Sequence, residues 1–165
     1  MWLPEHFKSE DSKKIMNREI LFKAKRKDNG EWVQGSLVST ECNTGFILRS
    51  KTKVFAPKGT NSFCSAYCYK IDADTLCQYT GLTDKNGKKI WENDIVTISA
   101  YSYSEPEDDY TGIVFYSEHF ACWCLKDINH DSMGLPICDC FGSYTTEIHY
   151  IGNIFDNTDL LEVEV

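Results

Sequence analysis

No apolar run in this sequence approaches the ~18 residues needed to cross a bilayer, and the opening MWLPEHFKSEDSKK has no apolar stretch of the kind an export signal carries. The reading is therefore a cytoplasmic chain without a membrane partner. No segment sustains a 3.6-residue apolar period over a dozen positions, so few or no long helices are expected. No Ser or Cys sits in a nucleophile motif such as G-x-S-x-G, and no phosphate-binding loop is present. The acidic run Glu105, Glu107, Asp108 and Asp109 lacks the Gly and terminal Glu of a calcium loop and reads as a solvated tip. Positive charge is scarce after residue 60. Residues 61–165 carry 5 Lys/Arg against 18 Asp/Glu, a net −13, whereas residues 1–60 carry 12 against 7, a net +5. An acidic bulk disfavours non-specific nucleic acid coating and leaves any such contact to the first half.

What is present is the composition of a packed globular protein. Of the 165 residues, 42% are hydrophobic, 13% aromatic and 25% charged, enough for one domain or two very small ones. Eight cysteines could suggest a disulfide scaffold, but such scaffolds are short, coreless and exported, so the thiols read as reduced.

From Arg18 onward the apolar period is two. Ile20, Phe22 and Ala24 alternate with Glu19, Lys23 and Lys25, Asp28-Asn29-Gly30 turns the chain, and Trp32 to Val38 returns it as a β-hairpin. Further strands are expected at 45–48, 53–55, 67–72 and 75–80, with a loop from Pro57 to Ser65 and a turn at Asp72-Ala73-Asp74. A second hairpin turns at Asn86-Gly87, and strands follow at 95–99, 112–116, 121–125, 137–141 and 148–154. Asn157 is a candidate cap for a short helical turn over 156–161. Strand signals every 8–12 residues give an all-β class, barrel or sandwich. Residues 1–16, with Trp2, Leu3 and Phe7, read as an appendage before the alternation begins.

Three stretches carry a family resemblance: Asn17-Arg18-Glu19-Ile20-Leu21-Phe22-Lys23-Ala24 with Gly30-Glu31-Trp32-Val33; the long block from Gln78-Tyr79-Thr80-Gly81-Leu82-Thr83-Asp84 through Lys88-Lys89-Ile90-Trp91-Glu92-Asn93-Asp94-Ile95-Val96; and Ile151-Gly152-Asn153-Ile154-Phe155-Asp156-Asn157. They resemble the YopX family of bacteriophage and prophage proteins. The resemblance implies a mainly β domain over 17–165, with an N-terminal hairpin and sheet region followed by an SH3-like small barrel. A subdivision near residue 77 would leave 78–165 as that barrel. It implies a bacterial host cell and brings no established activity. Asn93 stands where the family often has Gly, so a left-handed Asn is expected there.

The central block has an architectural reading as a barrel corner and a functional one as a binding surface around Tyr79, Trp91, Glu92 and Asp94. Lys23, Lys25 and Lys27 share one strand face and would form either a nucleic-acid strip or a solubilising strand edge. Cys122-x-Cys124 and Cys138-x-Cys140 could bring four thiolates to a zinc ion, although residues two apart on a strand are an unusual zinc spacing and buried apolar thiols explain them as well. Cys64 and Cys68, three residues apart, are a weaker pair. His119, His130 and His149 are scattered and read as structural. No motif calls for a cofactor. The leading expectation is a non-enzymatic accessory protein that binds a host or phage protein, or itself; nucleic-acid binding and zinc or thiol chemistry are the alternatives.

Overall fold

The structure, a computed structural model, describes residues 18–39, 45–49, 68–102, 105–106, 109–128, 134–138 and 145–161. The appendage 1–16, the strand expected at 53–55, the 57–65 loop, Cys64, Glu107, Asp108, His130 and Cys140 lie outside those residues.

Among the described residues twelve strands make two antiparallel sheets. The first joins β1 (Phe22–Lys25), β2 (Trp32–Ser39), β3 (Gly45–Arg49), β4 (Cys68–Lys70), β5 (Cys77–Thr83) and β6 (Lys89–Trp91) in the order β4-β3-β2-β1-β5-β6. The second joins β7 (Asp94–Ser102), β9 (Tyr110–Ser117), β10 (Cys122–Asp127), β11 (Leu135–Pro136) and β12 (Thr145–Asn153) in the order β11-β10-β9-β7-β12, and β8 (Glu105–Pro106) also pairs with β7. Among the described residues the remaining regular elements are short 3-10 turns, at Ala73–Thr75 and Thr158–Leu161, and residues 137 and 138 are also in 3-10 conformation.

The turns form where the sequence places Gly and Asx residues. Asp84 accepts the backbone N–H of Asn86 (2.8 Å) and Lys88 (2.7 Å). Its carbonyl accepts the N–H of Gly87 at 3.0 Å, and Gly87 takes φ +82 before the chain re-enters β6. This is a turn closed by a left-handed glycine, which a side chain there would strain. Against the desolvation that would raise it, the N–H groups of Lys88 and Asn86 hold the Asp84 carboxyl below the usual range. At Glu92-Asn93 the chain passes from the first sheet to the second, and Asn93 adopts the expected left-handed conformation, φ +64.

Three apolar clusters form the core of the described residues. Ile90, Val96, Ile98, Val114, Leu125, Ile137 and Ile148 form the largest, chiefly from the second sheet. Ala24, Ile47 and Ile71 sit within the first sheet. Cys77, Tyr79 and Trp91, with Leu21, Trp32 and Phe155 beside them, lie where the first sheet meets the C-terminal turn.

Three expectations are corrected. Among the described residues the second-half strands are not closed into a barrel: β11 and β12 end the second sheet at opposite sides, and β5 pairs with β1 (Phe22 with Gln78, Lys23 with Cys77), which commits the β5–β6 hairpin to the first sheet. β1 is not an edge, since it lies between β2 and β5, so its lysines do not guard a free strand. Of the strand expected over 137–141, Ile137 and Cys138 are not in strand, 139–141 lie outside the described residues, and the pairing with β10 falls on Leu135–Pro136 instead. Pro136 has no N–H to extend the ladder, and the chain turns at Ile137-Cys138.

Candidate functional site

The first and the central motif stretches meet at one lysine. Lys23 projects from β1 toward the second sheet, and its Nζ lies 2.7 Å from Asp94 Oδ1; the Asp94 side chain is 0% exposed and that of Lys23 13%. The ammonium also lies 5.0 Å from the Trp32 ring centroid and 5.6 Å from that of Trp91. Asp94 Oδ2 accepts the Trp91 backbone N–H at 2.8 Å, so each carboxylate oxygen has a donor. Burial raises the Asp94 carboxyl, an effect that Lys23 opposes without cancelling. Next to this centre, Tyr79 and Trp91 pack 5.4 Å apart, and burial pushes the Cys77 thiol up to about 11.

The C-terminal motif closes the same junction from outside. Asp156 pairs with Lys25 at 2.6 Å and accepts the Trp32 indole N–H at 2.7 Å and the Asn153 amide at 3.0 Å. Partial burial works to raise this carboxyl, but those hydrogen bonds outweigh it and hold the group at about 2. Asn153 Oδ1 accepts the N–H of Phe155 and Asp156, and Phe155 packs on Trp32 at 5.8 Å.

The structure thus brings Tyr79, Trp91, Glu92 and Asp94 together, but buries Tyr79, Trp91 and Asp94 and leaves only Glu92 partly accessible. Lys23 and Lys25 are engaged by Asp94 and Asp156, and Lys27 alone of the three is exposed. Neither set presents a continuous surface.

Cys122 and Cys124 share a strand face with their sulfurs 3.9 Å apart. Cys124 is buried, Cys138 is exposed, and burial followed by the neighbouring Cys122 pushes the Cys124 thiol up to about 11, away from the thiolate a metal requires. Cys77, Cys122 and Cys124 are free thiols. Among the described residues no group of three or more His, Cys, Asp or Glu could hold a metal ion.

An open cleft of about 380 Å³ lies between the β5–β6 hairpin and β12, lined by Gly81, Leu82, Thr83, Asp84, Lys85, Glu147 and Ile148. At its mouth Glu147 lies 3.9 Å from Lys85 Nζ and 3.3 Å from His149 Nε2, which is buried and not aligned for a hydrogen bond.

The feature that reading the sequence missed is the β9–β10 tip. Tyr116 is 47% exposed and packs edge-on to Trp123 at 5.3 Å; Phe120 is 42% exposed and packs edge-on to His119 at 4.8 Å. Ala121 closes the tip at φ +51, a left-handed conformation that costs a non-glycine residue about 1 kcal/mol. A signal was available in Ser117-Glu118-His119-Phe120-Ala121, which lacks a Gly, Asn or Asp at the turn and carries a Phe where a polar residue is usual.

These observations define a two-sheet β protein fastened by an internal charge and aromatic clasp. The chain belongs to the YopX family: the family model described as "YopX protein" matches residues 21–162. Among solved structures it is similar to the crystal structure of protein EF1440 from Enterococcus faecalis, at 21% identity and a TM-score of 0.55, over 88% of this chain and 99% of that one. That likeness supports the fold alone. No curated protein matches the chain. Among the described residues no helix is long and apolar enough to cross a membrane.

Proposed function

We propose that this protein is a non-enzymatic interaction module, a phage or prophage accessory protein working in the bacterial cytoplasm, and that it presents the β9–β10 tip to a host or phage protein. The observation that carries the reading is the solvent-facing aromatic group of Tyr116 and Phe120 beside half-buried Trp123. Tyr and Trp dominate the energetic centres of protein interfaces, because they cover much area at little entropic cost. The left-handed Ala121 adds local strain of the kind that collects at functional positions. The charged groups that might otherwise serve catalysis are bound to one another: Lys23 to Asp94, Lys25 to Asp156, and Arg26 to Asp28. The engagement of Lys23 and Lys25 also weighs against the nucleic-acid alternative.

The test is photo-crosslinking from a benzophenone amino acid placed at Glu118, in host cells carrying the phage genes. A discrete crosslinked protein, abolished by adding Tyr116→Ser and Phe120→Ser, is expected. Crosslinking that the two serines leave unchanged, or none at all, would contradict the proposal. A crosslink to a second copy of this chain would make self-association the interaction.

A further inference from the structure

We propose that Asn86 is a self-modifying position, an Asn-Gly step that the fold leaves free to lose ammonia and become aspartate or isoaspartate. The chain holds two such steps, Asn29-Gly30 and Asn86-Gly87, and each turns a hairpin. Their backbones match. Both asparagines are exposed, both glycines are left-handed, at φ +73 and +82, and each glycine N–H reaches a carbonyl at 3.0 Å, that of Arg26 in one turn and of Asp84 in the other.

The asparagine side chains differ. Asn29 is held at both ends: its Nδ2 donates to Glu31 Oε2 at 2.8 Å, and its Oδ1 accepts the Glu31 N–H at 3.0 Å. Asn86 Nδ2 approaches Asp84 Oδ2 only at 3.5 Å, the outer limit of a hydrogen bond. The flanking charges favour the same site. Lys85 and Lys88 bracket Asn86-Gly87, whereas Asp28 and Glu31 bracket Asn29-Gly30. Cations favour an anionic nitrogen, and carboxylates disfavour it.

The reaction needs only water and a solvent base. The base takes the Gly87 N–H proton, the nitrogen attacks Asn86 Cγ, and the new C–N bond closes a succinimide. The Cγ–Nδ2 bond breaks, and Nδ2 takes up a proton and leaves as ammonia. Water then opens the ring, at the Cγ carbonyl to give aspartate or at the main-chain carbonyl to give isoaspartate. Aspartate sets a second carboxylate beside that of buried Asp84, and isoaspartate adds a methylene to a turn in which the N–H groups of residues 86 and 88 both donate to Asp84. Either product loosens the turn that delivers the Lys85 N–H to the Ile148 carbonyl of β12 at 3.0 Å.

The experiment ages the full-length protein at neutral pH in heavy-oxygen water and follows both positions by peptide mass spectrometry, with fragmentation that separates aspartate from isoaspartate. Position 86 is expected to convert about tenfold faster than position 29, since each ordinary hydrogen bond that must break slows the step by roughly fivefold. In guanidinium chloride, which unfolds the chain and screens charge, the two rates should agree to within about twofold. Glu31→Ala should speed position 29 by about fivefold and leave position 86 unchanged. The converted protein should exchange its Lys85 amide hydrogen faster than fresh protein. Equal rates in the folded protein, faster conversion at 29, a difference that survives guanidinium chloride, or a position 29 indifferent to Glu31→Ala would each overturn the inference. Lys85 exchange that conversion does not alter would overturn the link to β12. The outcome is independent of what binds the β9–β10 tip.

Discussion

Asp94 is where charge and burial meet most sharply, and its neighbours show how the fold tolerates a carboxylate at 0% exposure. Lys23 neutralises one oxygen and the Trp91 N–H satisfies the other. Removing one partner of a buried ion pair costs about 3–5 kcal/mol, because the survivor is left uncompensated. Lys23→Met should therefore lower unfolding stability at pH 7 by about that amount. The loss should shrink on acidification: the Asp94 carboxyl is already raised, so protonation favours the folded state and its contribution fades as pH rises through the folded value. Urea midpoints at pH 7 and pH 5 check this, and a deficit that grows at pH 5 would refute it. Asp156 has the opposite sign. Held at about 2, it adds stability above the ordinary carboxylate range, and that contribution disappears as pH falls toward 2. Its side chain is 39% exposed, so Asp156→Asn should cost only about 1 kcal/mol at pH 7. At Ala121 the backbone already has the conformation glycine accepts freely, and Ala121→Gly should raise stability by about 1 kcal/mol, read as an increased thermal midpoint.

At the scale of elements, the strands and turns were legible because alternation and Asx-Gly chemistry are local. Phe22 to Lys25, the Gly87 turn, the left-handed Asn93 and the 3-10 turn after Asn157 stand where the residues place them. What local pattern cannot carry is the destination of a face. Lys23 and Lys25 alternate outward from Ala24 as a solvated strip would, yet that face is covered, since their partners Asp94 and Asp156 lie 71 and 131 positions away along the chain. Tyr79 and Trp91 were read as a surface or a corner and prove to be interior for the same reason. The C-terminal motif has a packing logic that only the fold reveals: a Cβ on Gly152 would stand 2.6 Å from the Asn157 side-chain oxygen, which accepts the Asn153 N–H. Gly152→Ala should displace that turn and cost about 1–3 kcal/mol, with the Trp32 indole signal shifting as Asp156 moves away.

For the whole molecule, the family motifs mark the fastening between the two sheets, and the exposed rings on which we propose a partner docks lie elsewhere, at the β9–β10 tip. Substitutions at the two places should therefore separate. Tyr116→Ser with Phe120→Ser should change stability by no more than about 1 kcal/mol while removing binding, whereas clasp substitutions should unfold the protein without selecting against a partner. The measurement that bears most directly on the fastening is a double-mutant cycle of Lys23→Met and Asp94→Asn by urea unfolding at pH 7. Each single change should be strongly destabilising, and the double variant should recover much of the loss, giving a coupling of about 2–3 kcal/mol. Additive losses, or singles that unfold like the parent, would contradict the claim that this pair joins the sheets.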